Sequence, residues 1–188
     1  MHDILDLPEV RARVSRISVA RYHETPELNE NGRPTELIRG IIIEKMPKSP
    51  LHASIVTILS KLLTGMIPAG CTLRPDNPLT LTDSEPEPDL AVVVGSERDF
   101  FTSHPTTCAL AIEVAVTSVE LDREKALIYA EASVQEYWII LAERREVEVY
   151  RQPEGGQYRE LRTHTHGETI ECASVPEIRV ELAAIFPG

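Results

Sequence analysis

The sequence predicts an α/β fold, one mixed β-sheet flanked by helices, and three observations carry that prediction. Two nearly continuous apolar runs, residues 89–94 and 109–116, have the composition of strands covered on both faces. Two other stretches, residues 50–66 and 119–132, repeat apolar side chains at helical spacing. The order of elements is helix, strands, helix, strands, as expected when helices layer onto a single sheet.

Taken in order, residues 1–33 read as a short helix and a loop, with Asn29, Asn31, Gly32 and Pro34 marking the break. Residues 35–46 form a hairpin with Arg39-Gly40 at its turn and Ile41, Ile42 and Ile43 supplying β-branched bulk. Ser49 and Pro50 start a helix as N-cap and first helical residue. Leu51, Ile55, Ile58, Leu59 and Leu62 continue it to about residue 66, and Pro68 and Gly70 end it. Short strands are expected at 71–74 and 78–82, separated by Asp76-Asn77, with a proline-rich loop at 83–88. After the 109–116 strand, Thr117-Ser118-Val119-Glu120 fits a capping box. Strands at 137–141 and 147–150 follow, then shorter strands and a terminal helical turn. The whole chain, 1–188, reads as one domain: an N-terminal helix and loop (1–33), a core (34–150) and C-terminal strands (151–188).

Composition narrows the class. A hydrophobic fraction of 42% with 26% charged residues is that of a globular protein. No apolar run is long enough to cross a bilayer, and Met1-His2-Asp3 lacks the basic start of a signal peptide. Three cysteines, Cys71, Cys108 and Cys172, suit reduced core thiols, and a cytoplasmic location is expected. The net charge of −11 argues against strong unassisted binding of nucleic acid. That charge is uneven: residues 34–80 carry five Lys/Arg against three Asp/Glu (+2), and residues 81–150 five against fifteen (−10).

Three polar residues fall where apolar ones are expected. In the 109–116 strand, Leu110, Ile112, Val114 and Val116 share one face, and Glu113 shares the other with Ala109, Ala111 and Ala115. A buried lone carboxylate is costly, so Glu113 needs a partner, either in a structural ion pair or at a reactive site. Lys125 lies with Leu121, Ile128, Tyr129 and Ala132 on the inward arc of the following helix, where it either snorkels outward or meets an anion. Asp89 opens the other covered strand, as a turn residue or as a second site carboxylate. Two carboxylates from adjacent strands can hold a divalent metal, with a lysine beside it to position a water. His52 sits on the apolar arc of its helix near the N-terminus, and Glu36 by itself reads as a solvated strand charge. His164-Thr165-His166 with Cys172 lacks zinc spacing, and Glu120, Glu124 and Glu131 read as a solvated helix face.

Pro88-Asp89, Glu113-Val114-Ala115, Lys125 and Glu136-Tyr137-Trp138 resemble the Uma-two-type restriction endonuclease family of the PD-(D/E)xK nuclease superfamily. Glu36-Leu37-Ile38-Arg39-Gly40 and Ser49-Pro50-Leu51-His52 extend the resemblance over about residues 35–150. It implies a restriction-endonuclease-like fold and a Mg²⁺-dependent (or Mn²⁺-dependent) phosphodiesterase site. Asp89 and Glu113 would be catalytic residues and metal ligands, with Lys125, His52 and Glu36 as further catalytic residues and Glu44 as an alternative to Glu36. The motif's lysine belongs two residues after the glutamate, where this chain has Ala115; Lys125 matches its relocated position on the next helix.

The implied partner is double-stranded DNA, with RNA as an alternative, and Lys45, Lys48, Lys61 and Arg74 are candidates for backbone contacts. A symmetric homodimer would let two sites address two strands. The rival expectation is a non-cleaving regulatory or partner protein that keeps a nuclease scaffold, supported by the −11 charge and by Ala115.

Overall fold

The computed structural model describes residues 4–24 and 32–186. Two short helices, α1 (Pro8–Arg11) and α2 (Val19–Glu24), form an N-terminal arm. The expected break at Asn29 and Asn31 lies outside the described residues. The hairpin of β1 (Thr35–Ile38) and β2 (Ile41–Glu44) follows as predicted. Its turn residues, Arg39 and Gly40, both take positive φ, 53° and 74°, which suits the twist of a two-residue hairpin. A Cβ at position 40 would lie 2.8 Å from Arg16 Cβ and from the Ile17 carbonyl oxygen, so glycine also lets the arm close on the turn.

Ser49 caps α3 (Pro50–Thr64): its side chain accepts a hydrogen bond from the His52 N–H, and Pro50 occupies the first turn, where no donor is needed. The central sheet contains β3 (Cys71–Pro75), β4 (Leu90–Val94), β5 (Leu110–Ala115), β6 (Glu136–Leu141), β7 (Glu146–Glu154) and β8 (Gln157–Thr165), in that spatial order. All neighbours are antiparallel except β5 and β6, whose parallel pairing requires a crossover; α4 (Val119–Glu131) supplies it. A small ribbon of β9 (Thr169–Glu171) and β10 (Arg179–Glu181) completes the chain with a terminal helical turn.

Alternation along the strands divides the core in two. On one face Leu90, Val92, Leu110, Ile112 and Val114 pack beneath Ile55, Leu59 and Leu63 of α3 and beneath the C-terminal ribbon. On the other, Ala91, Ala111 and Ala115 leave room for Ala126, Ile128 and Tyr129 of α4. The small side chains of β5 thus face the helix that carries Lys125.

Three local expectations fail. Residues 78–82 form a loop, because the N–H groups of Leu79, Thr80 and Leu81 bond to Pro86, Pro105 and Ser84 in turn, leaving no common partner strand. The capping box expected over Thr117–Glu120 does not form: Ser118 rather than Thr117 is the N-cap, so Glu120 falls at the second helical position, and the Ser118 hydroxyl donates to Asp122 (2.7 Å). The C-terminal strands are not uniformly short, since β8 runs for 9 residues. It is the sheet edge, mostly exposed, so its sequence carries little apolar signal.

Ser49→Ala should destabilise the protein by about 1 kcal/mol through loss of the α3 cap. Urea denaturation would show it as a lower midpoint with unchanged slope.

Candidate active site

Asp89 immediately precedes β4, and the register that pairs Leu90 with Ile112 carries it toward Glu113 on β5. Its Oδ2 accepts from the backbone N–H of Val114 at 2.8 Å, which ties the two strand ends together. The same oxygen lies 3.0 Å from His52 Nε2 at the start of α3. Lys48 Nζ approaches Oδ1 at 3.6 Å while bonding Asp76 at 2.5 Å. Burial alone would raise the Asp89 pKa, but His52, the Val114 N–H and Lys48 hold it below the ordinary value.

Glu113 is buried on the alanine-lined face, and Lys125 reaches it from α4 at 3.0 Å. Tyr129, one turn further along the helix, donates to the same oxygen at 3.2 Å. Lys125 also meets Glu36 of β1 at 2.9 Å and lies 3.9 Å from Asp122. Burial pushes Glu113 up to about 8, against the pull of Lys125 and with reinforcement from Asp89, Asp122 and Glu36. Burial would lower the Lys125 pKa, yet Glu113, Glu36 and Asp122 hold it above its usual range, so the ammonium stays charged. Asp122 is raised mainly by burial.

Most of these groups border an open cleft of about 180 Å³. Glu36, His52, Asp89, Glu113 and Lys125, all five site candidates from the sequence, line it. Glu36 is buried against Lys125 and also accepts from the Glu87 N–H at 3.4 Å, which overturns its reading as a solvated strand charge. Glu44 lines the cleft as well but pairs with Arg33. Of the basic candidates, Lys45 and Lys48 border the cleft, whereas Lys61 and Arg74 do not. Asp122 was missed. It lies 3 residues before Lys125 on one helix face, and that spacing was the available signal.

Asp89, Glu113 and Glu36 offer hard oxygen donors, the kind a divalent cation such as Mg²⁺ takes. Four carboxylates, Glu36, Asp89, Glu113 and Asp122, face two ammonium groups, Lys48 and Lys125, an excess of two negative charges when all are ionised. Among the described residues no three His, Cys, Asp or Glu side chains form a ready-made metal cage. Mg²⁺ does not require one, since it keeps several waters and uses one or two carboxylates. The residues therefore fit such an ion.

The chain is thus an α/β protein with a mixed six-stranded sheet and a cleft that brings together carboxylates from neighbouring strands and a helix-borne lysine. The Uma2 family, described as "Putative restriction endonuclease", matches residues 19–184, and the chain belongs to it. A solved structure of a "putative nuclease belonging to DUF820" from Anabaena variabilis ATCC 29413 is similar in fold. The TM-score is 0.69 at 17% identity, over 90% of this chain and 97% of that one. No curated protein matches the sequence.

The raised Glu113 pKa has a consequence for stability. An ordinary Glu titrates near 4.5, so between that value and about 8 the unfolded chain has lost a proton that the folded chain keeps. Stability therefore falls as pH rises through this window, and Asp122 acts in the same direction. The depressed Asp89 acts oppositely, but only as pH drops below the ordinary carboxylate range. Without metal, the urea midpoint should decline from pH 5 to 8, and Glu113→Gln should flatten the decline; a rising wild-type midpoint would contradict the assignment.

Proposed function

We propose that the chain is a Mg²⁺- or Mn²⁺-dependent endonuclease that hydrolyses phosphodiester bonds in DNA. The observation that carries this reading is the convergence of Asp89, Glu113 and the buried Lys125 ammonium on one open cleft. Family membership supports it at the coarser level of a nuclease.

In this reading Asp89 and Glu113 hold the cation. When bound, it neutralises charge on the scissile phosphate and lowers the pKa of a coordinated water. The side chains around it act by position. His52 and the Val114 N–H orient Asp89 from two directions, one on α3 and one on β5. Glu36 and Tyr129 do the same for Lys125 and Glu113. Lys125, permanently charged, stabilises negative charge developing on the phosphate oxygens and orients the attacking water. It thus takes the place of the lysine absent at Ala115.

Lys45 and Lys48 are placed at the cleft to meet the phosphates of a duplex, exchanging their present partners Glu87 and Asp76 for the substrate. A homodimer with two clefts facing two strands is the assembly in which both strands of a duplex would be cleaved. Among the described residues no helix is long and apolar enough to cross a membrane, and the proposed setting is the cytoplasm.

The rival reading, a non-cleaving partner protein on the same scaffold, draws on the −11 charge and on the carboxylates that already occupy Lys45 and Lys48. Plasmid nicking separates the two. Wild type should nick supercoiled DNA with Mg²⁺ or Mn²⁺, and Glu113→Gln and Asp89→Ala should each lose roughly 100-fold or more of the rate. Activity surviving both substitutions would sink the site assignment. Absence of Mn²⁺ binding by calorimetry at millimolar concentration would favour the partner reading.

A further inference from the structure

Lys125 has three carboxylates around it, and they are not equivalent. Glu36 and Glu113 line the cleft, whereas Asp122 is not among the lining residues. Asp122 lies behind the lysine, buried, at 3.9 Å from its ammonium. Two attachments hold it there. Ser118 donates to its Oδ2 at 2.7 Å, and the Tyr137 hydroxyl donates to its backbone carbonyl at 2.9 Å, pinning this turn of α4 against β6. The turn is also the first of the helix, where the partial positive charge of the free N–H groups favours a carboxylate.

The division matters because Glu113 is given two tasks on the reading proposed above. It holds a cation and also anchors Lys125, and a carboxylate engaged by a cation is a weaker acceptor for an ammonium. A lysine borne on a helix, rather than on the strand beside the glutamate, needs an anchor independent of the cleft's contents. We infer that Asp122, braced by Ser118, is a positioning residue of Lys125 beside Glu36, holding its ammonium from behind the cleft whether or not Glu113 is otherwise engaged. This inference rests on the reading of Lys125 as a site residue. Asp122 itself touches neither substrate nor cation. Ser118, the N-cap of α4, makes no side-chain cap because its hydroxyl is committed to Asp122.

Asp122→Asn tests the idea, since it keeps the size of the side chain and an acceptor for Ser118 but removes the charge. In lysine-labelled, metal-free protein, the Lys125 side-chain signal in a carbon–nitrogen correlation spectrum is assigned by its absence in Lys125→Arg. It should shift in Asp122→Asn, and less far in the same direction in Ser118→Ala, while the other lysine signals stay in place. With Mn²⁺, Asp122→Asn should lower kcat for plasmid nicking roughly tenfold with KM unchanged. A Lys125 signal unmoved in both variants would overturn the inference, because a purely structural Asp122 predicts just that. Should Asp122→Asn fail to fold, Ser118→Ala decides. Failure of wild type to nick DNA would count against the nuclease reading alone, since the metal-free spectrum reports on Lys125 without it.

Discussion

A buried ammonium is the constraint on which the site depends. Lys125 has almost no access to water, so its charge is tolerable only with anionic partners at hydrogen-bonding distance. Glu36 supplies a carboxylate from the hairpin and Glu113 an acceptor oxygen from a sheet strand, while Asp122 lies close by on the lysine's own helix. Each carboxylate is in turn too buried to stand alone. The lysine and its acids therefore fix the relative placement of β1, β5 and α4, and the cleft is the open side of that arrangement.

The hairpin shows how much scaffolding this takes. Glu36 reaches Lys125 because β1 is held against the 83–88 loop by reciprocal backbone bonds between Leu37 and Glu85 and by the Gly40 N–H on Asp83. Arg39, at the turn, forms a double hydrogen bond with Glu131 at the far end of α4. The exposed acidic face of that helix is thus only partly a solvated surface. The N-terminal arm adds His23, whose Nε2 lies between both oxygens of buried Glu85. The same loop ends at Pro88-Asp89, so contacts that seat the hairpin also seat the first site carboxylate.

Much of the fold was legible because burial leaves a periodic trace. Continuous apolar runs marked β4 and β5, and the Ser49-Pro50 start and apolar stripe marked α3. The trace fails where burial is one-sided or absent. The edge strand β8 has too few inward residues to stand out, and the 78–82 segment is apolar through packing under the hairpin rather than through strand pairing. Asp122 was hidden for a different reason. An acidic residue in the first turn of a helix has an ordinary explanation in the helix dipole, which masked the three-residue spacing to Lys125.

Period-two alternation by itself placed Glu113 on a small-residue face, and helical periodicity placed Lys125 on the inward arc of the next helix. Those are local facts, set by the geometry of strand and helix. The family motifs matched Asp89, already singled out by its place at the head of a covered strand, and brought His52 and Glu36 into the expectation without saying what each would touch. Only tertiary structure decided that His52 and Val114 share one oxygen of Asp89, that Glu36 is buried against the lysine, and that Asp122 stands behind it. These contacts join residues from four elements and the loop before β4, and no local periodicity records which turn of one element meets which end of another. The sheet register and the crossover of α4 determine that meeting, and with it whether a displaced lysine returns to the cleft.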